Sequence, residues 1–256
     1  SCYDQAHFIS RYTHMQKIIF PLVAAVGFLS IGGLFLAGFG YQSGFLDLGQ
    51  AFTLMRYCAV AGISGAGLSI FCILWQRPGG STLAVIFVSA VFGLTAFYLP
   101  YRQQLLAQKL PLIHDISTDT QNPPVFIDVL ATRSGAPNPP EYDGAEVAEL
   151  QREAYPDLLP VVYVNNPEAV FAAALTLINE RGWTVAGNEL ASGRIEATAT
   201  TRWFGFKDDV VLRIQPGHGG STVFDMRSKS RVGLSDVGVN AGRIRAFVAD
   251  LSAEQK

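Results

Sequence analysis

Charge is scarce in this chain. Only 16% of its 256 residues are Asp, Glu, Lys or Arg, where an average soluble domain has about 25%. Cysteine is scarcer: three in all, too few for a disulfide framework to replace a hydrophobic core. A basic excess is missing as well. The net charge is -2 and the pI about 6.1, which excludes a strongly basic nucleic-acid binder and an acidic tail. Apolar side chains are abundant, at 49% of residues, and the mean hydropathy is +0.25. These values exclude a wholly soluble protein, and the length predicts one or two domains.

The shortage of charge is uneven. Between Ile18 and Tyr101 stand only Asp47, Arg56 and Arg77. Asp4, Arg11 and Lys17 precede them, and the other 34 of the 40 charged residues follow. Three uncharged spans result: Ile18–Phe39, Tyr57–Trp75 and Thr82–Leu99. Each is close to the roughly 20 helical residues that cross a bilayer core. Tyr41, Tyr57, Trp75, Tyr98 and Tyr101 stand near the span ends, as an interfacial aromatic belt requires. The first span is longer than a signal-peptide core of about 7 to 15 residues, so a retained helix is expected. Met15 is a candidate native start, and Cys2 lacks the preceding apolar stretch of a lipoprotein anchor. For orientation, Arg11, Lys17 and Arg77 balance Arg56, Arg102 and Lys109, three against three. The first helix usually dominates, which favours a cytoplasmic N-terminus and a periplasmic soluble half, in a multi-pass protein of the inner (cytoplasmic) membrane.

Small residues recur at helical spacing in the spans: Gly33/Ala37, Gly62/Ala66, Ala61/Gly65, Gly65/Ser69 and Ser89/Gly93. Such pairs let helix backbones approach closely in lipid. They suit packing among the three helices, or docking of another membrane protein, with the second helix the best candidate. No span contains an ionisable residue, which disfavours a transporter or channel.

The chain therefore divides into a tail (1–17), a three-helix transmembrane region (18–101), a loop-rich connecting segment (102–159) and a soluble domain (160–256). In the last, VVYV reads as a strand and Asn166-Pro167 opens a helix to about Arg181. WTVAGN, RIEATATT, DDVVLRIQP and STVFDMRSK read as four strands, with GHGGS as a hairpin turn. A closing helix is expected from Ser235 as N-cap, with Val237, Ile244, Phe247 and Leu251 as its apolar stripe. GAEVAELQREAY suits one short helix in the connecting segment. The predicted fold class is α+β: three transmembrane helices, then a two-layer domain of antiparallel sheet with helices on one face.

The strings IHDISTDTQNPP, AYPDLLP, RIEATATTRWFGFKDDVVLRI and DMRSKSRVGLSDVGVNAGRIRAF strongly resemble the family called domain of unknown function 1499, over roughly Pro111 to Leu251. The resemblance implies a frequently membrane-anchored protein. It supports the fold and the domain boundary and assigns no activity to any residue.

Motifs of known chemistry are absent: no HExxH, CxxC, GxSxG, Walker loop or dinucleotide fingerprint. His114, Asp115 and Asp119 form the best metal-like cluster, against a loop-ordering role in turns. Asp208 and Asp209 are adjacent on a strand and point to opposite faces, so they do not share a site. Strand alternation places Arg194, Glu196, Thr198, Arg213, Asp225, Arg227, Lys229 and Arg231 on one polar sheet face, with five bases and two acids. That face suits an anionic ligand such as a lipid headgroup or glycan, or else is a solvated face with cross-strand ion pairs. Asn240 interrupts the apolar stripe of the last helix, with Asp236 and Arg243 beside it. Arg227 or Arg231 is expected to converge on Asp236 and Asn240, as a structural network or as a pocket. Trp203, Phe204 and Phe206 cluster in a turn, as a cap on the core or as a tip that touches a membrane or partner. The candidate ligand set is thus Arg213, Asp225, Arg227, Arg231, Asp236, Asn240 and Arg243.

The leading expectation is a non-catalytic, membrane-anchored envelope protein without a cofactor. Its domain binds a partner protein or an anionic envelope component. The alternatives are an envelope-metabolism enzyme and an accessory subunit of a larger membrane complex.

Overall fold

The structure is a computed structural model that describes the backbone of residues 2–255 and the side chains of residues 15–255. The readings that rest on Cys2 and on Arg11 fall on side chains outside that range. The chain forms two compact units, residues 1–105 with 203–205, and residues 106–202 with 206–256.

The first unit holds α1 (Cys2–Gln42), α2 (Leu48–Gln76) and α3 (Gly80–Ala107). All three are long and apolar enough to cross a membrane. Asp47 starts α2 with a capping box: its carboxylate accepts the Gln50 N–H at 2.8 Å, while the Gln50 side chain accepts the Asp47 N–H at 3.0 Å. Gly62, Gly65, Ala66, Ser69, Ser89 and Gly93 turn inward, while Ala61 is exposed. A Cβ on Gly62 would lie 2.6 Å from the Gly93 carbonyl oxygen, and one on Gly65 would lie 2.6 Å from a Val26 methyl. The Ser89 hydroxyl donates to the Ala24 carbonyl at 3.0 Å, a bond from α3 to α1. These positions pack the three helices against one another. Phe204, within the same unit, sets its ring 6.0 Å from Tyr41 and 5.9 Å from Phe52.

The second unit is α+β, with a six-stranded antiparallel sheet. Its strands are β1 (Asp115–Ser117), β2 (Val161–Tyr163), β3 (Thr184–Glu189), β4 (Arg194–Thr200), β5 (Lys207–Pro216) and β6 (Thr222–Ser230). The order is β1-β6-β5-β4-β3, and β2 pairs with β6 at the other end of the edge that β1 occupies. Helices α4 (Leu130–Arg133), α5 (Ala145–Ala154), α6 (Pro167–Glu180) and α7 (Val239–Glu254) complete it. Asn166 caps α6 by accepting the Ala169 N–H at 2.9 Å, with Pro167 in the first turn.

Alternation along the strands sorts the two faces. Ile195 and Ala197, Val210, Leu212 and Ile214, and Phe224 and Met226 point to one side. There they form a single core with Val170, Ala174 and Ile178 of α6 and Ile244, Phe247 and Leu251 of α7. The opposite face carries the polar residues, and its centre is covered. The chain from 118 to 144 lies over it. Phe126 and Val129 pack on Val211, and Glu196, Asp209, Asp225, Arg227 and Lys229 are all buried. The expectation of an open face with surface ion pairs is therefore corrected. Strand periodicity reports which residues share a face, not what covers them.

Two further expectations change. β1 lies in a stretch read as loop, and its outer edge is completed by a side chain. The buried Gln151 amide of α5 accepts the Ser117 N–H at 2.9 Å and donates to the Ser117 carbonyl at 2.6 Å, as a neighbouring strand would. The last helix also starts at Val239, not beside Ser235. Val237 adopts a positive φ of 53° before it and so lies outside the helical stripe.

Candidate functional site

The polar residues singled out by sequence form two buried networks, one on each face of the sheet. The first lies between the sheet and the 118–144 segment. Asp115 enters from β1 and receives two bonds from the Arg227 guanidinium, both 2.8 Å, with the Lys229 ammonium 3.2 Å away. All three side chains are buried. The remaining Arg227 donors reach the carbonyls of Pro124 and Pro140, and its guanidinium stacks 4.7 Å from the Phe126 ring centre. Lys229 is also held by Asp143 at 2.7 Å and by the Glu141 carbonyl at 2.6 Å. Burial, reinforced by Asp115, pushes the nearby Tyr142 phenol up to about 12.

Beside this cluster, Asp209 pairs with both Arg133 of α4 and Arg231, the latter at 2.8 Å. Arg213 pairs with its cross-strand partner Asp225 at 2.7 Å and with Asp119 at 2.8 Å. Asp119 is drawn in two directions. Burial pushes its carboxyl up, but the Asn122 and Gln121 N–H groups and Arg213 together hold it below the usual range. Arg194 reaches Asp128 and Glu196, both at 3.3 Å. The Glu196 carboxylate also accepts the N–H groups of Ile127, Asp128 and Val129 at 2.8 to 3.0 Å. That carboxylate pins the covering segment to the sheet. The basic face is thereby neutralised from within, by acids that sit largely in the connecting segment.

The second network lies on the helix side. Asn240 is fully buried at the start of α7. Its carbonyl oxygen accepts from Ser228 at 2.7 Å and from Arg243, and its amide donates to the His114 carbonyl and the Ser230 hydroxyl, both at 3.0 Å. Every hydrogen-bonding position of the amide is thus used. Arg243 continues to Asp208 at 2.5 Å. Asp236 caps the helix. Its two oxygens accept the N–H groups of Gly238 at 2.9 Å and Asn240 at 2.7 Å.

The predicted residues therefore come together in part. Asp236, Asn240 and Arg243 share one network, and Arg213, Asp225, Arg227 and Arg231 share the layer on the other face. Arg227 and Arg231 do not reach Asp236 or Asn240, contrary to expectation. Residues of opposite parity on the same strand, Ser228 and Ser230, do so, because the strand repeats every two residues. Asp208 and Asp209 divide between the two networks, Asp208 with Arg243 and Asp209 with Arg133 and Arg231. His114, Asp115 and Asp119 do not converge. His114 faces Asp143 at 3.4 Å, Asp115 faces Arg227, and Asp119 faces Arg213. Among the described residues, no group of three His, Cys, Asp or Glu side chains is placed to hold a metal ion. Sequence reading missed Arg133, Asp143 and Gln151. The available signal was the run of acids in 115–143, which matches the bases of β5 and β6.

Asp236 supplies a pH test. Burial raises its carboxyl above the ordinary range, with Asp208 adding to the rise, while the Asn240 and Gly238 N–H groups and Arg243 oppose it. The folded state therefore takes up a proton before the unfolded state does. The stability this confers is complete below the ordinary carboxylate range and is lost as pH rises through the raised folded value. Asp236→Asn removes that dependence. Denaturant melts of both proteins should show a stability advantage of wild type that is widest below about pH 4 and shrinks as pH rises. A gap that widens with pH would contradict the assignment.

Three membrane-capable helices joined to an antiparallel α+β domain, with its polar residues locked in internal networks, define a membrane-anchored protein with a self-contained second domain. The chain belongs to the family described as protein of unknown function (DUF1499), whose profile matches residues 115–251. That match includes β1 and the covering segment, along with the sheet and α7. No curated protein matches the chain.

Proposed function

We propose that this is a cell-envelope protein of the inner membrane whose domain is a non-catalytic binding module for a partner protein. The domain stands on the periplasmic side, by the positive-inside reading with the first helix dominant. One observation carries the binding reading. Val125, Ile127 and Leu130 expose 68%, 52% and 42% of their surface, while Phe126 and Val129 between them are buried. The backbone that presents them is clamped by Glu196 through three consecutive N–H groups. An apolar surface held this rigidly loses little conformational entropy on binding. The bases once expected to hold an anionic ligand on the sheet are engaged internally, which favours a protein partner for this domain over a glycan.

The test is purification of the full chain from its native membrane in mild detergent, beside Ile127→Asp, with co-purifying proteins quantified by mass spectrometry. A stoichiometric partner lost at least tenfold from the variant, with the circular-dichroism melt unchanged, is expected. A lone wild-type protein, or a partner retained by the variant, would overturn the reading.

A further inference from the structure

A groove of about 570 Å³ opens between the first apolar turns of α1 and α3. Its size falls within the roughly 300 to 1,000 Å³ of small-molecule sites. It is built in two levels. Gln16 and Lys17 of α1 and Ser81 and Thr82 of α3 line one end. Phe20 and Val85, three and four residues further along, line the other. At 1.5 Å per residue they stand about 5 Å deeper in the apolar span. The polar end coincides with the points where both chains enter their uncharged stretches, which is headgroup depth in a bilayer.

Charge selects the occupant. Lys17 lies at the mouth, and Arg77, at the end of α2, belongs to the same end of the bundle. Among residues 15–105 the one acid is Asp47, at the start of α2 and so at the opposite end. Ser81 and Thr82 add hydroxyl side chains to the same end, able to donate to phosphate oxygens. We propose that this groove binds one anionic phospholipid, its phosphate at Lys17, Ser81 and Thr82 and an acyl chain along Phe20 and Val85. This site is separate from the protein-binding surface proposed above and does not depend on it.

The test uses the full chain in nanodiscs of equal phosphatidylglycerol and phosphatidylcholine, released and weighed by native mass spectrometry. Wild type should retain one phosphatidylglycerol in preference to phosphatidylcholine. One basic side chain at a membrane surface is worth about 1 kcal/mol, so Lys17→Gln should lower that preference about fivefold, and Lys17→Arg should keep it. Val85 is 47% exposed, so Val85→Trp fills the groove without entering the helix packing and should abolish retention of either lipid. Equal retention of the two lipids by wild type would overturn the proposal, as would an unchanged preference in Lys17→Gln or a lipid still held by Val85→Trp. Displacement of the lipid by excess inorganic phosphate would also overturn it, since the site would then recognise an anion without its chain.

Discussion

Asp115→Asn should collapse the 118–144 segment and expose β6 to solvent exchange. The substitution leaves the shape of the side chain and removes its charge. Arg227, buried, would then have no carboxylate partner, and Lys229, also buried, would keep only Asp143. Breaking one partner of a buried ion pair costs about 3 to 5 kcal/mol, because the surviving charge stays desolvated. Here Arg227 is left unpaired and Lys229 half-compensated, against a total stability for an ordinary domain of about 5 to 15 kcal/mol. Hydrogen-exchange mass spectrometry on peptides covering 222–230 would read the loss directly as a gain in deuterium uptake. The paired substitution Asp115→Leu with Arg227→Met should recover at least half of the lost protection, since replacing a whole buried pair by apolar groups is often neutral. If Asp115→Asn left β6 protected, Arg227 and Lys229 would have charge to spare. The basic face would then return as a candidate anion site.

The same layer explains which parts of the fold the sequence made legible. The three spans were legible because a bilayer demands an uninterrupted apolar length, and that demand is local. The strands β3 to β6 were legible because Ile195, Ala197, Val210, Leu212, Phe224 and Met226 alternate against polar neighbours. The covering segment was not, since its contacts are long-range and irregular. Phe126 and Val129 are two apolar residues in a proline-rich stretch, with no period to mark them. β1 is three residues long, and its pairing with β6 spans more than a hundred positions. Its counter-charge to Arg227 was visible as Asp115, but the local pattern offered only a loop-ordering residue or a metal ligand. A buried aspartate facing a base and a metal-ligating aspartate use the same side chain. Only the partner distinguishes them, and that partner lies 112 residues away. The start of α7 was misplaced for a local reason. Asp236 reaches the N–H of Asn240 from four residues upstream, through a positive-φ Val237 and Gly238, so the capping side chain lies ahead of the first helical residue.

Asn240→Leu should destabilise the second unit by about 3 kcal/mol or more, despite its gain in apolar character. Leucine offers nothing to the four groups that Asn240 now satisfies. The Ser228 and Ser230 hydroxyls are buried and lose their bonds to the amide, at about 1 to 3 kcal/mol for each buried group left unsatisfied, while the His114 carbonyl keeps only the Ser230 N–H. Arg243 suffers least, since it keeps Asp208 and Ser228. The site joins β1, β6 and α7 at one point, so the loss should appear as a lowered melting temperature. It should also appear as faster exchange in all three elements together. Asn240→Asp distinguishes a structural amide from a binding one. It keeps an acceptor for Ser228 and Arg243 but points a second oxygen at the His114 carbonyl, so a structural amide predicts a loss of stability in this variant as well. If Asn240→Asp melted like wild type while a co-purifying molecule disappeared, the amide would be serving a ligand. The network reading requires the opposite: stability falls with the amide, and nothing bound is lost before the fold is.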